Sequence, residues 1–163
     1  SRGLGDVYKR QPIITINLWL KKPIDGPFPI AFVNSPVQWI FPLPDQSDNK
    51  EGFGYTVVIS AASKQVDLSN SDLLSLIDKE FTYFFSKGIF DGFQLQASKI
   101  VKEKSATFRQ TPEALKLRPA VQTNFKNLFL AGDWIDTGLP ATIESAVLSG
   151  RMAIKSALSQ TNL

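Results

Sequence analysis

The sequence predicts a mixed α/β protein, α+β overall, because β-rich segments fill its first two thirds and a strand–turn–helix segment follows near its end. Twelve Phe against a single Met make the apolar residues unusually aromatic, which favours strands over a helix bundle. The 163 residues suffice for a hydrophobic core, and the apolar and charged fractions, 43% and 20%, are typical of a globular chain.

Four β-rich segments precede the first helical one. Proline, glycine or polar turn residues bound them, as they usually bound strands, and the segments are residues 13–20, 28–33, 37–43 and 55–61. The polar, punctuated stretch 44–54 is predicted to be a loop.

A helix is predicted to begin after Ser69 or Ser71, either of which can cap it, and to end near Ser86. Its apolar residues recur at helical spacing and are predicted to face the core: Leu73, Leu76, Ile77, Phe81, Phe84 and Phe85. A strand over residues 93–104 should follow.

The last third begins with a proline-punctuated crossing segment, residues 108–119. The almost wholly apolar run 127–132 predicts a short strand covered on both faces, and a helix is predicted over 141–158. An apolar stripe should lie on one side of that helix; its residues are Ile143, Val147, Gly150, Ile154 and Leu158. Small residues should let the helix approach a sheet closely: Ala146, Gly150, Ala153 and Ala157. Residues 12–104 and 105–163 are therefore predicted to be two bodies.

Composition excludes several classes of chemistry. Without Cys or His, the chain can form no disulfide, thiol nucleophile or thiolate metal site and lacks the usual general base, so no metal site is predicted and a cofactor should supply the chemistry. The net charge of +3 comes without a dense basic cluster, which argues against nucleic-acid binding. No apolar run reaches the roughly 20 residues that span a bilayer.

Residues 1–11 are predicted to be a non-native tail. The run Asp6–Gln11 resembles the translated transposase end sequence used to fragment DNA for sequencing libraries. On this interpretation the native sequence begins near Pro12 and the chain is a C-terminal fragment. The alternative is an ordinary basic N-terminal arm.

The richest motif lies between Asn127 and Arg151. Its strand should deliver Gly132 and Asp133 to the carboxyl edge of a sheet, where α/β proteins bind ligands. Asp133 would be a fixed acceptor for hydroxyl groups, Gly132 would leave room for a bulky ligand, and the helix start near Pro140 would offer free N–H groups. Taken alone, the dipeptide is better explained as a strand-to-turn transition capped by Asp133, and it is the long run in its strand–turn–helix context that favours ligand binding.

The run from Ala131 to Glu144, read as AGDWxDTGLPATIE, resembles the hydroxysqualene dehydroxylases, the squalene-associated branch of the flavin amine oxidase and carotenoid desaturase superfamily. Support comes from residues 12–20, 37–41, 58–62 and 102–108, so the resemblance covers nearly everything after Gln11. One departure is Ser145, where the family usually has glycine.

The resemblance implies the C-terminal portion of a two-domain FAD-binding, Rossmann-like oxidoreductase with an antiparallel-sheet substrate domain. Residues 12–104 would belong to the substrate domain and 105–163 to the FAD domain, whose Gly-x-Gly-x-x-Gly fingerprint should lie upstream. Asp133 would accept from the FAD ribityl chain and the Ile143 amide would face the carbonyl beside flavin N1. The implied cofactor-binding residues are Gly132, Asp133, Trp134, Ala141, Thr142 and Ile143.

The implied reaction is reduction of hydroxysqualene to squalene by hydride from reduced FAD, with Trp19, Trp39 and Phe41 as candidate residues lining the isoprenoid cavity. No catalytic acid is assigned. A carotene or phytoene desaturase, a flavin amine oxidase and a non-catalytic isoprenoid-binding module remain alternatives. A water-insoluble substrate implies a bacterial cytoplasmic protein associated peripherally with the membrane, with basic residues such as Lys21 and Lys22 near the tunnel mouth.

Overall fold

The computed structural model describes residues 9–44 and 52–160. The chain divides into two compact units: the sheet unit, Gln11–Ala106, and the helix unit, which combines Ser1–Arg10 with Thr107–Leu163. The division falls two residues after the boundary that the sequence predicts. Residues 1–8 of the predicted tail lie outside the described residues, whereas Arg10 and Gln11 open the first strand.

The sheet unit contains one five-stranded sheet with the strand order β2-β3-β4-β1-β5. Neighbouring pairs β1–β4, β2–β3 and β3–β4 are antiparallel. The strands are β1 (Arg10–Leu20), β2 (Ile30–Ala31), β3 (Trp39–Pro42), β4 (Phe53–Ile59) and β5 (Leu95–Phe108).

Strict alternation of side chains gives this sheet one buried face. Ile14, Ile16, Leu18 and Leu20 of β1 are fully buried, while the residues between them are only half-buried. The register pairs Ile16 with Val57 of β4, which lies in the same core cluster. A slip by one residue would turn this whole set outward, so the core fixes the register.

Helix α1 (Asn70–Phe85) supplies the other half of the core. The Ser69 hydroxyl accepts a hydrogen bond from the Asp72 amide, 3.1 Å away, and Ser86 ends the helix in the left-handed region. Leu73, Ile77 and Phe81 are buried as predicted, and Leu76 and Phe85 pack partly against the core; Phe84 differs, at 38% exposed.

Several strand boundaries differ from the prediction. The segment predicted over 28–33 shortens to β2, since Pro29 lacks an N–H and Asn34 adopts a positive φ of 59°. The segment over 37–43 shortens to β3. The strand predicted over 93–104 begins later and runs on to Phe108. Residues 45–51 of the predicted loop lie outside the described residues, and Phe53 and Gly54 already belong to β4.

The helix unit differs from the prediction at two elements. The crossing segment contains a short helix, α2 (Pro112–Lys116), because the Thr111 hydroxyl caps it and Pro112 suits its first turn. The run 127–132 forms no extended strand: its ladder contact is one bridge, Gln122 to Phe129, and Leu128 is 47% exposed. An apolar run forms a buried strand only where neighbouring strands pair with it. Beyond the one bridge, the described residues provide no such strand.

Helix α3 (Ile143–Gln160) presents a different face to the interior from the one predicted. Its apolar stripe is exposed, with Ile143 at 85% and Ile154 at 64%, while Ser145 and Ser149 are fully buried. At 3.6 residues per turn the two serines lie opposite the stripe. The periodicity located the stripe, but small hydroxyl side chains make the close contact with the preceding loop.

Candidate functional site

Gly132 is constrained by a neighbour within the motif itself. Its φ is +150°, and a Cβ placed there would collide with the indole of Trp134. Its amide donates to the Ser149 hydroxyl at 2.8 Å, which ties the loop to α3. The space beside Gly132 that was predicted to admit a bulky ligand is therefore occupied by the indole of Trp134, on the side where a Cβ would point.

Asp133 offers an uncommitted carboxylate. The residue is half-buried, and its backbone carbonyl accepts from Arg118 Nη2 at 2.8 Å. Within residues 9–44 and 52–160 its carboxylate oxygens have no hydrogen-bond partner. Carboxylates held in a loop by their backbone, with free oxygens, are suited to accept hydrogen bonds from ligand hydroxyl groups.

The start of α3 offers uncommitted donors. The Thr142 hydroxyl accepts from the Ser145 amide at 3.3 Å, as an N-cap side chain does. The amides of Ile143 and Glu144 have no acceptor in the described part of the chain, so they remain available at the positive end of the helix. The Ala141 amide differs, because it donates to Gln110 Oε1 at 3.3 Å.

An open cavity of about 250 Å³ lies beside this loop. The amide of Gly138 donates to Asp136 Oδ1 at 3.2 Å, which fixes the turn at its edge. The cavity is lined by Gln110, Leu115, Arg118, Asp136, Gly138, Leu139 and Pro140.

Arg118 links the two ends of the motif and was missed from the sequence. Its Nη2 donates to the carbonyl of Asp133 and, at 3.2 Å, to the hydroxyl of Ser145 on the first turn of α3. The Ser145 hydroxyl also lies 2.7 Å from that of Thr137. The available signal was Ser145 itself, a hydroxyl where the family usually has glycine.

The three candidate substrate residues share one face of the sheet unit. Trp19 lies opposite Gly54, and the rings of Trp39 and Phe41 stack with centroids 5.9 Å apart. Trp39 and Phe41 are 42% and 39% exposed, and their alternation with buried neighbours places all three on the face opposite the core. This face is aromatic and accessible, as a surface for a long apolar ligand must be.

Comparison with known proteins identifies the family to which the chain belongs. Residues 8–154 match the family model described as flavin containing amine oxidoreductase. Hydroxysqualene dehydroxylases from Sinorhizobium fredii and Zymomonas mobilis are 34% and 36% identical over 98% and 94% of this chain, and a 15-cis-phytoene desaturase from Synechococcus elongatus is 26% identical over 91%. The chain spans about a third of the length of these relatives: 36%, 34% and 33%.

A crystal structure of a presumed protoporphyrinogen oxidase from Exiguobacterium sp. 255-15 has the same fold, with a TM-score of 0.62 at 12% identity. The alignment covers 91% of this chain and 35% of that protein.

Fold and family model together define the class: the chain belongs to the flavin containing amine oxidoreductase family. Membership implies FAD as the cofactor, and the donors and acceptors of the motif fit it. Within residues 9–44 and 52–160, the unpartnered carboxylate oxygens of Asp133 suit sugar-alcohol hydroxyls, and the unpartnered amides of Ile143 and Glu144 suit a carbonyl.

Proposed function

We propose that this chain is the C-terminal part of an FAD-dependent oxidoreductase that reduces hydroxysqualene to squalene. The observation that carries the proposal is that one loop and the helix after it hold two kinds of polar group without partners among the described residues: the Asp133 carboxylate and the amides of Ile143 and Glu144. The chain that holds them is related to hydroxysqualene dehydroxylases. In the reaction a C–O bond is exchanged for C–H: hydride reaches carbon, and the hydroxyl leaves as water after taking up one proton.

The residues of the helix unit would hold the cofactor. Asp133 would accept hydrogen bonds from the ribityl hydroxyls, and the amide of Ile143 would donate to the carbonyl beside flavin N1. Gly132, Trp134, Ala141 and Thr142 shape the same loop. FAD supplies the hydride chemistry when bound, while donors at the helix start favour negative charge on the reduced ring.

The aromatic face of the sheet unit would hold the substrate. Trp19, Trp39 and Phe41 give an isoprenoid chain broad apolar contact without requiring any hydrogen bond from it. Truncating both side chains of the stacked pair, Trp39 and Phe41, should therefore raise KM for the isoprenoid by a larger factor than it raises the dissociation constant of FAD.

The rest of the enzyme would cover the apolar stripe of α3. Val147 and Leu158 are 55% and 56% exposed, as are other members of the stripe, and such patches usually mark an interface. The proposal is supported by the greater length of the relatives, of which this chain spans about a third. It is also supported by the lack of a Gly-x-Gly-x-x-Gly fingerprint in the 163 residues. We call the protein with its upstream coding sequence restored the intact enzyme.

Membrane access is part of the proposal, because squalene-like molecules are almost insoluble in water. None of the helices in residues 9–44 and 52–160 is long and apolar enough to cross a bilayer. In the sheet unit the apolar side chains of Val33 and Tyr83 are 75% and 80% exposed, and Lys21 and Lys22 are exposed as well. Together these features support interfacial binding at a bacterial cytoplasmic membrane.

Liposome flotation tests membrane access. The intact enzyme should float with anionic vesicles, floating less as salt rises while retaining an apolar contribution, and Tyr83→Asp should reduce flotation at every salt concentration. Turnover of dispersed isoprenoid without flotation under any condition would refute membrane access and leave the flavin assignment intact.

A phytoene-type desaturase is the second candidate, favoured by the relative from Synechococcus elongatus. The two reactions run the flavin in opposite directions, so product analysis separates them. The intact enzyme with reduced FAD under anaerobic conditions should convert hydroxysqualene to squalene. Formation of a desaturated product from phytoene with oxidised FAD, and no squalene, would favour the second candidate.

A further inference from the structure

Arg118 is the most heavily bonded buried charge in the described part of the helix unit. Only 8% of the residue is exposed. Its Nη1 donates to the carbonyl of Leu139 at 2.5 Å and its Nε to that of Trp134 at 3.4 Å. Its Nη2 donates to the carbonyls of Asp133 and Ile135 and to the Ser145 hydroxyl. The guanidinium also lies 6.0 Å from the ring centroid of Phe108.

The four carbonyl partners all belong to one loop, residues 133–139. One rigid planar fork therefore holds four carbonyls of a loop that has no extended strand beneath it. The bond to Ser145 joins the same fork to the first turn of α3. The relative position of the Asp133 backbone and the start of α3 thus depends on this one side chain.

The partners are also all uncharged. Among the described residues no carboxylate oxygen bonds to Arg118, so its charge is solvated by carbonyl and hydroxyl dipoles without being cancelled. Burying an uncancelled cation is costly unless its donors are satisfied, and here they are shared among five oxygens. The guanidinium of Arg118, unpaired with any carboxylate among the described residues, therefore lies next to the first turn of α3, where it bonds Ser145.

We propose that Arg118 is the positioning residue of the loop formed by residues 133–139, which we call the flavin loop. Arg118 fixes the position of this loop relative to α3 and places its own positive charge beside bound FAD. This inference rests on the proposed binding of FAD to the loop. A lysine cannot replace the arginine, because one ammonium group cannot reach carbonyls spread from Asp133 to Leu139 with the same geometry.

The test compares Arg118→Lys and Arg118→Met with Arg109→Met in the intact enzyme. Arg109 lies nine residues earlier and is exposed, so it controls for loss of an arginine. Folding is followed by circular dichroism, FAD affinity by titration, and the loop by the visible spectrum and midpoint potential of flavin bound at saturation. We expect Arg118→Met to weaken FAD binding by about tenfold or more and to lower the midpoint potential.

Arg118→Lys should also change the flavin spectrum, with a smaller loss of potential, because it keeps the charge and loses the fork. Arg109→Met should match the wild type. Wild-type spectrum and potential in the folded Arg118 variants would overturn the proposal, and Arg118→Lys decides alone if Arg118→Met does not fold. If instead Asp133→Ala leaves FAD affinity unchanged, the proposed binding site fails, which is a separate result.

Discussion

The two units of this chain are stabilised by different kinds of interior. The core of the sheet unit is apolar and strictly alternating, as shown by Ile14, Ile16 and Leu18 of β1. The interior of the helix unit includes Arg118, Ser145 and Ser149 among its buried residues. Apolar burial is strong but non-directional, whereas hydrogen bonds fix orientation. The unit that carries the candidate flavin loop, residues 133–139, is thus the one in which buried hydrogen bonds fix the orientation of the backbone.

The largest expected effect lies in the apolar interior. Phe81 is fully buried on α1, and its ring lies 5.4 Å from that of Phe85 and 6.1 Å from that of Phe93. Phe81→Ala should lower the free energy of unfolding of the chain by about 3–5 kcal/mol, measured by urea denaturation, because it leaves a large cavity. Tyr83→Ala, on the exposed side of the same helix, should cost less than about 1 kcal/mol. Similar losses would contradict the assignment of the core.

The next effect tests backbone strain in the directional interior. Gly132→Ala places a Cβ against Trp134 at a φ of +150°, so we expect a loss of about 1–3 kcal/mol in the local stability of the loop. Gly150→Ala, at a helical glycine with open space around it, should instead stabilise α3 by up to about 1 kcal/mol. Hydrogen exchange of peptides from the loop and from α3 gives both changes in local stability. If the two substitutions changed stability in the same direction, the difference between the two glycines would be refuted.

The smallest effect isolates one hydrogen bond. Ser149→Ala removes the acceptor for the Gly132 amide and should cost about 1–2 kcal/mol, seen as faster exchange of that amide. Ser159→Ala, at an exposed serine of the same helix whose hydroxyl donates to the Ser156 carbonyl, should leave exchange of the Gly132 amide unchanged. Unchanged exchange in Ser149→Ala would show that the hydroxyl does not hold the loop.

Sequence reasoning worked where local sequence decides the structure. The β-rich composition of residues 13–20 and the prolines that bound them predicted β1, and the cap at Ser69 with apolar residues at helical spacing predicted α1. It failed where long-range partners decide. The apolar run 127–132 lacks the neighbours that a buried strand needs, and the stripe of α3 is exposed. Arg118 lies in a segment without any periodicity, so only its three-dimensional partners reveal it.

The candidate site divides in the same way. The motif indicated Asp133 and the start of α3, and the structure adds that the Asp133 carboxylate and the amides of Ile143 and Glu144 have no partners within the described residues. It could not indicate that the Ala141 amide bonds to Gln110, or that Trp134 fills the space beside Gly132. These contacts depend on side chains that approach from 31 residues away or fold back by two, and spacing does not encode such approaches.

The affinity of the intact enzyme for FAD in the Asp133→Ala variant tests the central claim most directly. Loss of an acceptor for the ribityl hydroxyls should weaken binding by about 1–3 kcal/mol, roughly fivefold to 150-fold. Asp136→Asn is the matched control, since it removes a charge from the same loop and keeps the Oδ1 acceptor for the Gly138 amide; its affinity should stay within about threefold of wild type. Wild-type affinity in a folded Asp133→Ala variant would contradict the account and leave Asp133 as a turn residue.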